Sequence, residues 1–243
     1  MIQSDLIQLG KTLQCRRYSI LLAAIIALTV ASAMIASAAA TDSAPEEAML
    51  ENKPWIGDFD KMAEKRQIRV LVAFSKTFYF LDRGRQRGIS YDLLKEFEKF
   101  VNKKLKTKTL KVNVVFIPVR RDELIPGLIK GLGDISVANL TITQERRKHV
   151  DFSNPLLTGV RELLVTGPSA PPVITIDDLA GLEIHVRKSS SYYESLVRLN
   201  ETFIKSGKSK VKLIPADETF EDEDLLEMVN AGLIPMIVMD SHK

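Results

Sequence analysis

Cysteine is nearly absent. The single one, Cys15, precedes a long uncharged apolar run, so it cannot follow that run as the acylated cysteine of a lipoprotein would. No cysteine lies beyond it, which excludes disulfides and thiolate-bound metal from the rest of the chain. Histidine is scarce as well. His149, His185 and His242 fall at a turn, in a strand pattern and near the last residue, without the spacing of a metal site, and no Ser–His–Asp order can be argued from them. An excess of one charge sign is also missing: 34 basic residues stand against 31 acidic. That balance leaves no case for nucleic acid, which calls for a basic face. The glycine-rich signature of a phosphate loop is not there either. No cofactor and no metal is expected.

What is present begins with an address. Lys11, Arg16 and Arg17 precede a run from Ile20 to Ala40 that holds no charge and ends in small residues, with Ala36-Ser37-Ala38 and Ala38-Ala39-Ala40 as candidate cleavage sites. This order describes a secretory signal peptide over residues 1–40. The run is also about long enough to span a bilayer, so an uncleaved anchor is the alternative, and with it a membrane-anchored sensor. Cleavage would remove Lys11, Arg16, Arg17 and Asp5 and leave a nearly neutral protein of 31 basic and 30 acidic residues.

Residues 41–57 form a polar lead-in. From there the pattern alternates. Asp58–Arg66 suits a short helix and Ile68–Ala73 (IRVLVA) a buried strand. After a loop containing Gly84 and Gly88, Ser90 can cap a helix with Leu93, Leu94, Phe97, Val101 and Leu105 at helical spacing. Val112, Val114 and Phe116 alternate as in a strand. Asp122–Lys130 reads as a short helix, with Pro126 in its early part, and Asp134–Ala138 as the next strand. Arg161–Thr166 is a further strand candidate, followed by the loop GPSAPPV. The pattern then restarts: a short helix at Asp177–Ala180, a strand at Glu183–Val186 and a helix from Ser190 to Lys205. A strand at Val211–Ile214, a helix at Glu221–Ala231 and a strand at Pro235–Met239 complete it. Such alternation implies mainly parallel sheets flanked by helices. Its break near residues 157–172 implies two α/β lobes, 58–158 and 159–243, with a cleft between them. Ligands of such sheets sit beyond the carboxyl ends of the strands.

The stretch NLTITQERRKHVDFSNPL, residues 139–156, begins where one of those strands ends. Thr141 and Gln144 are spaced as a capping box, and Thr143 can cap the segment that follows. Arg146 lies about one turn in, where a planar guanidinium can grip a carboxylate with two parallel hydrogen bonds. The competing reading makes Arg146, Arg147 and Lys148 a solvated face paired with Glu145 and Asp151. Spacing alone favours the solvated face, since exposed charge runs usually mean little.

The segment GDISVANLTITQERRKHVDFSNPL resembles the most recognisable part of the family 3 periplasmic solute-binding proteins of amino-acid uptake: a strand, a Thr-x-Thr-x-x-Arg turn, then Asp-Phe-Ser-x-Pro. GISYDLLKEFEKFVN, DDLAGLEIHVRKSSSYYESL and IVMDSH extend the likeness to roughly residues 58–243. KTFYFLDRGRQRG and LLEMVNAGLIPMIVMDSHK resemble the branch in which such a module precedes a peptidoglycan-cleaving lytic transglycosylase domain and regulates it. The resemblance implies a two-lobed, type II periplasmic-binding-protein-like fold. It also implies an amino acid or short cell-wall (muropeptide stem) peptide as small-molecule ligand, with a membrane transporter or a transglycosylase domain as possible partner.

By that resemblance Arg146 holds the ligand α-carboxylate, helped by Thr141 and by the turn Ser189, Ser190 and Ser191, while Asp240 of the second lobe takes the α-ammonium. Phe78 and Tyr79 stand where the family has pocket-wall residues, although each equally suits an ordinary core aromatic. Asn139 replaces a usual glycine. Arg121 replaces a frequent aromatic cover. Pointing into the cleft it would suit a ligand with an extra negative charge; otherwise it is an exposed arginine. Pro235-Met236 replaces a usual Asp-Ala. The sequence stops at Lys243, where the family has a return crossover completing the first lobe, so a truncated fold is expected. The one Glu-Ser pair, Glu194-Ser195, is followed by LVRLN rather than a transglycosylase Gly-Leu-Met-Gln run, and a lone carboxylate is no glycosidase site. The sequence reading is therefore a non-enzymatic periplasmic binding module, with the regulatory fragment of a lytic transglycosylase as the alternative and outer-membrane or cell-wall association open.

Overall fold

The computed structural model describes residues 54–243. The leader expected over 1–40, and the lead-in up to residue 53, lie outside the described residues. The described chain builds on β1 (Gln67–Ala73), six of whose seven residues are buried. Successive side chains of a strand face opposite sides. Ile68, Val70 and Val72 accordingly enter one core with Tyr79, Leu94, Val101, Val112 and Val114. Leu71 and Ala73 enter another with Leu124 and Ala138. A strand covered on both faces is a nearly continuous apolar run, the signature of a parallel sheet between helices; its one buried charge, Arg69, is paired with Asp134 at 2.7 Å.

Around β1 lie a short helix, a longer one and a hairpin. Helix α1 (Phe59–Lys65) precedes it. The hairpin of β2 (Phe80–Asp82) and β3 (Arg85–Arg87) follows it, with antiparallel pairing. Helix α2 (Ile89–Lys104) covers one face with Leu94 and Val101 buried. The sequence reading treated the hairpin as loop. It also placed the helix cap at Ser90, whereas the N-cap is Gly88 and Ser90 is buried one residue inside the helix. Gly88 has φ 114° and its would-be Cβ lies 2.3 Å from the Phe78 carbonyl oxygen, so the helix can start against that loop only without a side chain there.

Strand β4 (Asn113–Val119) pairs in parallel with β1 along its whole length, from Gln67 opposite Asn113 to Ala73 opposite Val119. A 3-10 turn (Arg121–Glu123) leads into α3 (Leu124–Ile129), and β5 (Ile135–Ser136) pairs with the other side of β1, giving the order β4-β1-β5. The expected strand at 134–138 is thus short, although Asp134 and Val137 still donate backbone bonds to Arg69 and Leu71.

The second sheet has the order β6-β9-β7-β8, from β6 (Glu162–Thr166), β7 (Glu183–Val186), β8 (Lys212–Pro215) and β9 (Met236–Asp240). Three of these strands run parallel, while β6 is antiparallel to β9, with Glu162 opposite Asp240. Helices α4 (Ser191–Lys205) and α5 (Asp222–Asn230) close this lobe. Leu196, Phe203, Leu225 and Val229 pack with Ile184, Val186, Ile237 and Met239. Among the described residues no helix is long and apolar enough to cross a membrane.

Candidate functional site

The carboxyl ends of the parallel strands in the two sheets lead into the residues that join the lobes. In lobe 1 the chain leaves β5 through Asn139, whose φ is 49°. Asparagine is among the few residues that tolerate this left-handed conformation, which accounts for its standing at a position that suits glycine. Arg146 then opens a 3-10 turn, Arg146–Lys148, whose N-cap residue is Glu145 and makes no side-chain cap bond, while the Arg146 N–H donates to Thr143 Oγ1 at 3.2 Å. The expected cap at Thr143 is thus not the N-cap of this turn, although its hydroxyl bonds the first N–H.

Arg146 is only 8% exposed. Its Nη1 donates to the Thr141 carbonyl oxygen and its Nη2 to the Ser189 carbonyl oxygen, both at 2.8 Å. The guanidinium thus ties the lobes together through backbone oxygens, and Glu194 approaches its Nε only to 4.0 Å. Burial pushes the Arg146 pKa down, Glu194 raises it and Arg121 lowers it further. The guanidinium remains charged and is held without a close carboxylate.

Asp240 ends β9 and is buried. Its backbone N–H donates to the Tyr192 hydroxyl oxygen at 3.1 Å, and that hydroxyl lies 3.3 Å from Asp222 Oδ2. Burial, and then Asp222 and Asp240, raise the Tyr192 pKa, so the phenol stays protonated. In the serine turn, Ser190 caps α4: its Oγ accepts from the Tyr193 N–H at 3.2 Å and donates to the Arg187 carbonyl oxygen at 2.7 Å. Ser189 turns aside to Glu218, its Oγ at 2.5 Å from Oε2. Replacing Ser190 by alanine is expected to lower stability by about 1 kcal/mol through the lost cap, read as a shift in the denaturant midpoint.

Arg121, Asn139, Thr141, Arg146, Ser190, Ser191 and Asp240 all border one small interlobe cavity of about 20 Å³. That is room for about one water. Ser189 touches the site only through its carbonyl oxygen. Tyr79 is 2% exposed and stacks on Phe116 in the lobe 1 core, with ring centroids 5.5 Å apart. Phe78 is half-buried and its carbonyl accepts the Ser90 N–H. Neither aromatic lines a cavity between the lobes. Phe74 does: with Pro118, Val119, Arg121, Glu218 and Glu221 it borders a second cavity of about 330 Å³, at the lower end of the range for small-molecule sites.

Four residues have no counterpart in the sequence reading: Arg187, Asp222 and Lys243, which line the small cavity, and Glu221, which pairs with Arg121 beside it. Arg121 is not exposed: its Nε lies 2.9 and 3.0 Å from the two carboxylate oxygens of Glu221, and its Nη1 donates to the Ala138 carbonyl oxygen. Glu221 thus supplies lobe 2's answer to Arg121, the member of the pair that lines both cavities. Arg187 binds Asp222 and the Phe220 carbonyl oxygen. Lys243 reaches the same Asp222 carboxylate. Burial raises the Asp222 pKa, but Arg187 and Lys243 outweigh it and hold the carboxyl below its ordinary value. The acidic run 221–224 gave no sign of these partners, because each comes from a distant part of the chain.

The geometry is that of a two-lobed protein whose strand ends converge on buried charges of both signs, and the family follows from comparison. A family model for bacterial extracellular solute-binding proteins, family 3, matches residues 68–238. The chain belongs to this family. Among curated proteins it is similar to membrane-bound lytic murein transglycosylase F of Desulfosudis oleivorans, 29% identical over 181 residues, covering 74% of this chain and 36% of that protein. It is likewise similar to the protein of that name from Pseudomonas fluorescens, 29% identical over 187 residues, covering 76% and 35%. The chain thus spans about a third of the length of these relatives. Among solved structures it is similar to an ancestral amino-acid-binding protein, a precursor of cyclohexadienyl dehydratase. That match has a TM-score of 0.58 at 26% identity and covers 75% of this chain and 73% of the other. It is also similar to an ancestral arginine-binding protein bound to arginine, with TM-score 0.54, 28% identity and coverage of 72% and 70%.

Proposed function

We propose that this chain is a periplasmic solute-binding module that takes an amino acid, or a short peptide of the cell wall, between its lobes. What carries the reading is that Arg146 of lobe 1 and Asp240 of lobe 2, both buried, border one cavity. A zwitterion needs a cation at its carboxylate and an anion at its ammonium. Charges placed on opposite lobes make the ligand bind the closed form in preference to the open one. In this assignment Arg146, Thr141 and the start of α4 at Ser190 and Ser191 take the carboxylate, and Asp240 takes the ammonium. The lobes must part to admit a ligand to a space of about 20 Å³, and its remaining atoms extend past Arg121 toward the cavity of about 330 Å³.

The similarity to lytic murein transglycosylase F favours a second setting for the same binding act, as the sensing module beside a peptidoglycan-cleaving domain. The chemistry required of the cleft is the same in both settings. The testing experiment is calorimetry of the wild-type chain and Asp240→Asn with matched ligands that have or lack a free ammonium. Asp240→Asn is expected to weaken the ammonium-bearing ligands selectively. Equal loss for both classes would overturn the role given to Asp240.

A further inference from the structure

The ammonium half of the cleft is already occupied by the protein's own cation. After β9 the chain turns back on itself: the Ser241 N–H donates to the Arg161 carbonyl oxygen at 2.8 Å and the Lys243 N–H to the Asp240 carbonyl oxygen at 3.1 Å. This turn delivers the Lys243 side chain, 15% exposed, to Asp222. Its ammonium also stands 5.9 Å from the centre of the Tyr192 ring. Asp222, Asp240, Tyr192 and Lys243 line the same small cavity. The Tyr192 hydroxyl joins the two acids, lying 3.3 Å from the Asp222 carboxylate and accepting the Asp240 backbone N–H.

We propose that Asp222 is a second carboxylate of the ammonium subsite and that Lys243 is a tethered cation which fills this subsite until a ligand ammonium displaces it. The inference rests on the functional reading above. Two observations besides the acids point to an exchangeable occupant. The cavity lined by Lys243 is too small for any amino acid, and parting of the lobes leaves Lys243 and Asp222 paired on the same lobe, so an ammonium that reaches Asp222 must displace Lys243. Of the four cations that line it, Lys243 is the one on a flexible stem with a solvent-exposed edge, whereas Arg121, Arg146 and Arg187 are each at most 8% exposed. In addition, Arg187, 3% exposed and lining the cavity, has an Nε with no acceptor among the described residues. The closed, self-filled arrangement therefore leaves one buried donor for a group that the ligand brings. An incoming ammonium beside a fixed Lys243 would meet a like charge, so the two compete for Asp222.

A site held by its own side chain for nine-tenths of the time binds its ligand about tenfold more weakly than when it is free. The test is calorimetry of the full chain and of Lys243→Met and Lys243→Arg against the twenty common amino acids, a peptidoglycan stem peptide, and matched ligands lacking the ammonium. Lys243→Met keeps most of the side-chain length and removes the charge; Lys243→Arg keeps the charge. About tenfold tighter binding by Lys243→Met, with Lys243→Arg at the wild-type level, is the expected result. Ligands lacking the ammonium should show no such gain. Wild-type binding that is unchanged or weakened in Lys243→Met overturns the proposal and leaves the cleft reading in place. No binding by any of the three chains overturns both. Asp222→Asn should cancel the gain of Lys243→Met. Because Asp222 also supports Arg187, its thermal melt is recorded alongside, and the Met and Arg variants decide the outcome if this one fails to fold.

Discussion

Replacing Arg146 by alanine is expected to weaken ligand binding roughly a hundredfold, about 3 kcal/mol, because a buried guanidinium paired with a carboxylate is a common energetic centre of recognition. The structure also defines what else the substitution removes. Arg146 donates to Thr141 and Ser189 carbonyl oxygens on opposite lobes, so the variant loses an interlobe tie. Thr141 is exposed and Ser189 half-buried, so water can replace the lost donor, and the stability cost should stay near 1 kcal/mol. Calorimetry and a thermal melt on one preparation separate the two effects. Arg146→Lys sharpens the result: it keeps the charge but not the planar fork, and should still lose most of the affinity. Undiminished binding in the alanine variant would return Arg146 to the solvated charge run that spacing alone allowed.

How far the sequence spoke depended on whether the deciding partner was local. Strand β1 was legible because burial on both faces demands an apolar run, and IRVLVA has one. The hairpin β2–β3 was not, since FLD and RQR are short and largely exposed and so show no alternation. The available signal was its turn: Arg83 and Gly84 both have positive φ, 48° and 78°, as a two-residue hairpin turn requires. Strand β6 was found but not its direction, because a strand's own residues do not state which way its neighbour runs. The residues placed by the family resemblance border one small cavity, apart from Phe78, Tyr79 and Ser189. Glu221, Asp222, Arg187 and Lys243 escaped notice for a physical reason. ETFEDEDLLE has the acids expected of any exposed helix start, and their cations come from Arg121, Arg187 and Lys243, which no helical or strand period connects to them.

The Arg121–Glu221 pair carries the other large effect. Both side chains are nearly buried, 8% and 5% exposed, and they face each other across the lobes. Removing one charge leaves the other without its partner in a poorly hydrated place, a loss of about 3–5 kcal/mol in comparable buried pairs, whereas replacing both by apolar groups is often neutral. Arg121→Met should therefore destabilise the chain strongly, softened by Arg187, whose Nη1 lies 3.8 Å from Glu221, and by parting of the lobes to let water reach the carboxylate. Arg121→Met with Glu221→Met should recover most of the melting temperature. The double variant also decides what the pair does in the cleft. If Arg121 serves only to hold the lobes, the apolar pair keeps ligand affinity, since Arg146 and Asp240 are untouched. If the ligand's second charge contacts Arg121, affinity falls although stability is restored. The two measurements on one double variant therefore distinguish a bridge between the lobes from a guanidinium that reads the ligand.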